Sequence, residues 1–350
     1  MKACAICGKD TASDALHVCV ECIRSGREDA LVYARETHKR IRAKYGLPAE
    51  PPKSEGGIRC NLCSNECVLK EGERSYCGLK TNVTGKLKSS APTDHALLYA
   101  YRDPLPTNCC AAWFCPGSSQ FGKVNVAVFL YGCNFDCVFC QNASHKEFGF
   151  VKPVSVTDFA ASVKQRGNAY CICFFGGSPE PQLQFALRAS ESILAEKAVR
   201  ICWEWNGCGN RSLVKRAAAL SVKSGGIVKF DLKAFDPNLS LALSGVPNKR
   251  AYENFEMIAT EYFENSGPPV LTATTLLVPF YVDETEVENI ARFIASVNPE
   301  IPYSLLVFHP DFAMRDMPIT PQEQVQRCYE AAKRHLNRVN IGNKQLFGLI

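Results

Sequence analysis

Three cysteines, Cys133, Cys137 and Cys140, stand in a C-x3-C-x2-C spacing directly after the apolar run from Val124 to Leu130. A continuous apolar run of this length reads as a strand buried on both faces, so the cysteines fall on the loop at its carboxyl end. Three thiolates on one loop can hold three irons of a [4Fe–4S] cube and leave the fourth without a protein ligand. An open coordination position is what separates a catalytic metal site from a closed structural one. On spacing alone, a zinc knuckle borrowing its fourth ligand from elsewhere is the alternative.

The pattern that follows narrows the choice. Strand-like apolar runs at 124–131, 170–175, 199–205, 226–231, 270–277 and 303–308 alternate with helix-period segments near 157–166, 181–196, 211–222, 251–264, 284–297 and 321–336. Alternation of this kind predicts parallel βα units in an α/β fold, here an open, partial (β/α)6 barrel. In such folds chemistry gathers at the carboxyl ends of the strands. The cysteine triplet lies at that rim, and so do the other polar motifs. The second strand ends in Gly176-Gly177-Ser178-Pro179-Glu180-Pro181, where two glycines let backbone approach a ligand closely. The third ends in Trp203-Glu204-Trp205-Asn206-Gly207, the fourth in Asp231-Leu232-Lys233, and the sixth in His309-Pro310.

Taken together, residues 124–345 resemble the radical S-adenosylmethionine (SAM) superfamily, in its branch of pyruvate formate-lyase-activating enzymes. The triplet, with Phe139 just before the last cysteine, carries the resemblance, together with Gly176-Gly177 and the strand-end motifs. It implies that Cys133, Cys137 and Cys140 ligate a [4Fe–4S] cluster whose open iron chelates SAM. It implies reductive cleavage of SAM to a 5′-deoxyadenosyl radical that abstracts hydrogen from a substrate. By the same resemblance Phe139, Gly176, Gly177, Ser178, Glu204, Asn206 and Asp231 border the cofactor, and Lys233 lies near its carboxylate. His309 is a candidate substrate contact or proton donor. The chain departs from the family pattern in two places: Ser178 stands where the Gly-Gly motif continues with Glu, and Glu204 stands where Asp is usual.

The remaining cysteines are the second constraint. The chain has 19 in 350 residues, and in a reducing compartment grouped cysteines read as metal ligands. Cys4, Cys7, Cys19 and Cys22 form two C-x2-C knuckles that can surround one tetrahedral ion, zinc or iron. Cys60, Cys63, Cys67 and Cys77 form a second metal-like group. Cys109, Cys110 and Cys115 form a third cluster in sequence, and Cys171, Cys173, Cys202, Cys208 and Cys328 read as small core hydrophobes. The expected organisation is a Cys-rich metal-binding extension before the barrel. It comprises a zinc-ribbon-like knuckle at 1–25, a basic helix and linker at 26–57, a second Cys-rich segment at 58–120, and the radical SAM core at 121–350. The helix carries Arg35, Lys39, Arg40, Arg42 and Lys44, either a solvated face or a surface for an acidic partner.

The expected substrate is a protein or peptide, with an external reductant such as flavodoxin or ferredoxin. A more distant likeness to archaeal radical SAM glutamine C-methyltransferases, the surplus cysteine groups and the pair Trp203 and Trp205 point to methylation of a protein side chain with cobalamin as carrier. No Asp-x-His-x-x-Gly cobalamin motif is present. Activation of a glycyl-radical enzyme is the alternative within the family. A zinc-ribbon protein binding RNA or protein, with a degenerate barrel, is the alternative outside it. Net charge is only +5, which gives no argument for nucleic acid. No apolar run reaches membrane-spanning length, and the start lacks a signal-peptide core, so a cytoplasmic location is expected.

Overall fold

Eight strands lie side by side in the order in which the chain makes them. They are β1 (Leu98–Pro104), β2 (Val124–Leu130), β3 (Ala169–Gly176), β4 (Arg200–Trp205), β5 (Val228–Asp231), β6 (Leu271–Leu277), β7 (Tyr303–Val307) and β8 (Val339–Gly342). The computed structural model describes residues 1–165, 167–264 and 268–348. From β2 to β8 all neighbours are parallel, and only β1 runs antiparallel to its partner. Sequential order with parallel neighbours is what repeated right-handed βα units produce.

Two helices precede the sheet, α1 (Val20–Arg24) and α2 (Glu28–Ala43). The others follow β2: α3 (Val156–Lys164), α4 (Leu183–Leu194), α5 (Arg211–Ser224), α6 (Pro237–Ser244), α7 (Lys249–Tyr262), α8 (Glu284–Val297) and α9 (Gln322–Lys333). Local chemistry starts and stops them. The Ser155, Asn210, Asp236 and Asp283 side chains accept from first-turn N–H groups of α3, α5, α6 and α8, each worth about 1 kcal/mol. Gly225, at φ +71°, ends α5 in the left-handed conformation that glycine adopts at least cost.

Every residue of β2 and of β6 is buried, because helices cover one sheet face and chain fills the other. On the helix side Phe174 stacks on Trp203 at 4.8 Å between ring centroids. The Trp203 indole donates to Ala217 O on α5 at 2.9 Å. On the opposite, concave side stand Asn125, Ala127, Cys171, Cys173, Cys202, Glu204 and Lys229, alternating with the helix-facing residues as the pleat requires. The segment between β1 and β2 lies across this concave side. Trp113 Nε1 donates to Ser304 Oγ on β7 at 3.0 Å, and Ser304 Oγ donates to Cys110 O at 2.9 Å.

All six strands expected from the alternation are present. Two more flank them. β1 escapes the pattern because it is an edge: Tyr99 and Tyr101 are exposed and Arg102 and Asp103 interrupt the apolar run. Helix α6, only eight residues long, gives too short a period to read.

The extension packs onto the core. Ser13 N donates to the Tyr281 hydroxyl at 2.9 Å, and that hydroxyl donates to Val18 O at 2.8 Å. Arg24 forms a two-pronged pair with Asp283 at 2.7 Å and reaches Glu286 at 3.1 Å. The second Cys-rich segment forms short ribbons, Ile58–Arg59 with Val68–Leu69 and Lys80–Val83 with Lys86–Ser89. Its Asn65 donates to Asn134 O, inside the triplet loop, at 2.7 Å. Among the described residues no helix is long and apolar enough to cross a membrane.

Candidate active site

The triplet loop is held from below and from the side. Asp136 N donates to Ser244 O at 2.9 Å and Val138 N to Leu243 O at 3.0 Å, so the end of α6 pins the loop. Asp136 itself is buried. His38 Nδ1 on α2 lies 2.8 Å from one carboxylate oxygen, Arg42 lies 3.4 Å from the other, and Lys146 also pairs with it. Burial opposes a charge here, but the His38 hydrogen bond, Lys146 and Arg42 together hold the Asp136 carboxyl well below the usual carboxylate range. Arg42, expected on a solvated basic face, is therefore an internal residue stacked on the Tyr76 ring.

Cys133, Cys137 and Cys140 line one cavity of about 160 Å³ together with Phe139, Gly176, Gly177, Ser178, Glu204, Asn206, Asp231 and Lys233. Residues from the ends of β3, β4 and β5 thus converge on the triplet. Gly177 fits because a Cβ there would lie 2.3 Å from Gly132 O, and Gly176 has φ +114°; no other residue suits this close approach of two rim loops. Ser178 does not reach into the cavity as a free hydroxyl. It donates to Glu180, and it accepts from Asn206 Nδ2 at 3.0 Å. Glu180 is fully buried and also accepts from Gly207 N at 2.8 Å. Burial pushes its carboxyl up to about 7, against the Ser178 and Gly207 hydrogen bonds. Glu180 therefore ties the β3 and β4 loops together behind the cavity wall. Asn206 exchanges hydrogen bonds with Asn134 at 2.8 and 3.2 Å, linking the β4 rim to the triplet loop.

Three features fit a polar, chelated cofactor beside the cysteines. Asp231 Oδ1 and His145 Nδ1, both on residues lining this cavity, are buried without a hydrogen-bond partner. Lys233 pairs with Asp231 and lies 5.4 Å over the Phe139 ring. The three thiols are held up by burial, Cys140 to about 11, as expected of sulfurs awaiting a metal that would stabilise the thiolate.

One candidate sits elsewhere, and a second borders the cavity while its carboxylate pairs with a buried lysine. His309 is exposed, 3.6 Å from Asp311, and does not line the cavity. Glu204 Oε2 turns to Lys229 Nζ at 2.9 Å, down the barrel. The tryptophan pair is split: Trp203 is fully buried on the helix side, whereas Trp205 stacks on it at 5.7 Å and borders the cavity.

The cysteine groups of the extension differ from one another. The sulfurs of Cys4, Cys7, Cys19 and Cys22 all lie within 4.8 Å of one another, with Cys4–Cys22 at 3.9 Å and Cys7–Cys19 at 3.5 Å. A tetrahedral ion with metal–sulfur bonds near 2.3 Å separates its sulfurs by about 3.8 Å, so this set can close on one metal. Cys60, Cys63, Cys67 and Cys77 are buried and near enough to influence one another's charge, but they form no such close-set group among the described residues. The site residues that sequence reasoning missed are Asp136, His38, Arg42, Lys146 and His145. Their only signal was a buried carboxylate inside the triplet, which has no meaning until its partners are brought together.

Residues 127–294 match the radical SAM superfamily. The core of the chain is a radical SAM domain, and the protein is a radical SAM enzyme. The chain is 24% identical to an uncharacterized protein of Methanocaldococcus jannaschii, over 82% of this chain and 81% of that one. It is 24% identical to a putative glycyl-radical enzyme activating enzyme of the same organism, over 61% of this chain and 79% of that one. It is 32% identical to the isethionate sulfite-lyase activating enzyme of Desulfovibrio desulfuricans, over 38% of this chain and 40% of that one. These relatives place the radical SAM domain in the activating-enzyme branch.

Proposed function

We propose that this radical SAM enzyme abstracts a hydrogen atom from a polypeptide, in the manner of an activating enzyme. Bound at the triplet, a reduced [4Fe–4S] cluster and SAM supply a 5′-deoxyadenosyl radical. Cys133, Cys137 and Cys140 hold the cluster. Asp231 and His145 offer unpartnered polar atoms to SAM, Lys233 offers a cation for its carboxylate, and the Gly176-Gly177 edge offers backbone groups. The aromatic and aliphatic lining, Phe139, Phe175, Leu276 and Leu306, encloses the radical and keeps competing hydrogen donors from reaching it. An external one-electron donor of the flavodoxin or ferredoxin type completes the system. Cys4, Cys7, Cys19 and Cys22 bind zinc or iron as a structural ion, whereas Cys60, Cys63, Cys67 and Cys77, which are not gathered into one ligand set, act as buried thiols of the extension.

The observation that carries the polypeptide reading is the aromatic surface leading to the cavity. Phe175 lines the cavity and meets Phe129 at 5.8 Å and Tyr101 at 6.4 Å; Phe129 meets Tyr99 at 5.0 Å. Tyr99 and Tyr101 are exposed on the edge strand β1. Such an edge can take up an extended segment. The activating-enzyme names of two relatives support the same choice. Methyl transfer through cobalamin has less support, since of the two tryptophans that suggested a corrin platform Trp203 is wholly internal.

The test uses reduced, reconstituted protein, SAM and an extract from deuterium-grown cells. Deuterium should enter 5′-deoxyadenosine from the macromolecular fraction and should be lost after proteolysis. Deuterium transfer from the small-molecule filtrate alone would reject a polypeptide substrate. A glycyl radical by electron paramagnetic resonance would separate activation from methylation, which leaves a 14-dalton addition (roughly one CH₂) and consumes a methyl donor.

A further inference from the structure

Next to the SAM cavity, sharing Phe175 and Glu204 with it, the barrel holds a second cavity of about 150 Å³. Its wall is rich in sulfur: Cys171 and Cys173 come from β3, Cys202 from β4, and Cys109 and Cys115 from the segment that crosses the concave side. Its charged residues are Asp103, Arg200, Glu204 on β4 and Lys229 on β5.

We propose that Cys109, Cys110 and Glu204 bind one divalent transition-metal ion of the zinc type on the floor of the barrel. The sulfurs of Cys109 and Cys110 and a Glu204 carboxylate oxygen all lie within 4.8 Å of one another. Among the described residues only the quartet Cys4, Cys7, Cys19 and Cys22 forms another such group. The donors come from two distant parts of the chain, so their convergence reflects the fold. Hydrogen bonds fix it: the Cys110 carbonyl is held to Ser304, and Trp113 donates to that same hydroxyl.

Lys229 supplies the second, independent observation. It is only 2% exposed, and its ammonium has three partners: Cys173 Sγ at 3.1 Å, Cys109 Sγ at 3.3 Å and Glu204 Oε2 at 2.9 Å. A buried ammonium is stable only where its surroundings offset its charge. With a divalent ion present, two thiolates and one carboxylate, all half-buried, balance the ion and the buried lysine, and the assembly is neutral. Lys229 then acts as an outer partner, donating to a ligand sulfur and to the ligand carboxylate. Two thiolates and one carboxylate select zinc or a similar ion over magnesium or calcium, which prefer all-oxygen sites. Three protein ligands leave a fourth tetrahedral position for a water, and the adjoining cavity has room for one.

The experiment counts metals in the full chain, purified without added zinc chelator, by mass spectrometry, and repeats the count after substitution of Co²⁺ for zinc. Cys109→Ser with Cys110→Ser should lose one zinc-type ion per chain, and with it part of the thiolate-to-cobalt charge-transfer absorption. The iron content should be unchanged. Because two serines in the segment between β1 and β2 would also disturb its packing, Glu204→Gln provides a milder second variant. It should keep a native circular dichroism spectrum and weaken Co²⁺ binding at this site at least about tenfold. An unchanged zinc count in the double variant, or unchanged Co²⁺ affinity in Glu204→Gln, would overturn the proposal. So would a Cys109–Cys110 disulfide in anaerobically purified, metal-depleted protein, which would make the pair a redox dithiol.

Discussion

His38 Nδ1, on the long helix of the N-terminal extension, lies 2.8 Å from Asp136 Oδ2, between the first two cysteines of the triplet. The extension therefore reaches the catalytic loop itself. Together with Arg42 and Lys146 it surrounds one carboxylate with three cationic or proton-donating groups. Positive charge beside the cluster loop also favours the more negative, reduced state of any bound cluster.

Replacing Asp136 by Asn should be among the most damaging single changes. It leaves Arg42 and Lys146 buried without their counter-charge, which costs about 3–5 kcal/mol. Urea unfolding should show the loss, and iron content after reconstitution should fall with it. A midpoint within experimental error of wild type would show that the three partners are solvated instead.

Changing Cys133, Cys137 and Cys140 together to Ala should remove about four irons per chain, the content of one cube. Release of 5′-deoxyadenosine should be abolished. A triple variant that still cleaves SAM would place the catalytic cluster elsewhere. Lys233→Met, with the triplet intact, should retain iron and weaken SAM binding by about tenfold or more, as loss of a buried charge-assisted contact of about 1.5–3 kcal/mol implies. Equilibrium dialysis with SAM checks this.

Changing Cys4, Cys7, Cys19 and Cys22 to Ser should remove one metal ion and lower the melting temperature. In sequence, residues 1–25 read as a zinc-ribbon-like knuckle set apart from the core. The contacts of Ser13 and Val18 with Tyr281, and of Arg24 with Asp283 and Glu286, make deletion a larger lesion than loss of the ion. The four serine replacements should therefore retain more SAM cleavage than the deletion does. Calorimetry and product analysis on both proteins distinguish the two lesions.

Glu180 gives a pH signature. Its folded pKa, about 7, lies above the ordinary 4.5, so the native state holds this proton more tightly than the unfolded chain. Its contribution to stability is complete below about pH 4.5 and is lost as pH rises through about 7. A shift of this size corresponds to roughly 3 kcal/mol. Wild type should lose about that much stability relative to Glu180→Gln between pH 4.5 and pH 8. Parallel urea titrations across that range would contradict the assignment.

The sequence by itself determined the core strands and the catalytic triplet. Their signals are local: an apolar run buried on both faces and three thiols on one loop need no distant partner to be read. It also set apart Cys4, Cys7, Cys19 and Cys22, since two short knuckles define a tetrahedral set. The tertiary structure decided what depended on charges and sulfurs meeting across the chain. It placed Arg42 inside, against Asp136, turned Glu204 towards Lys229, and left His309 exposed outside the cavity. It also gathered Cys109, Cys110 and Glu204, which look unrelated in sequence. The physical reason is that a buried charge is settled by its neighbours in space, and a barrel closes its neighbours from strands far apart along the chain.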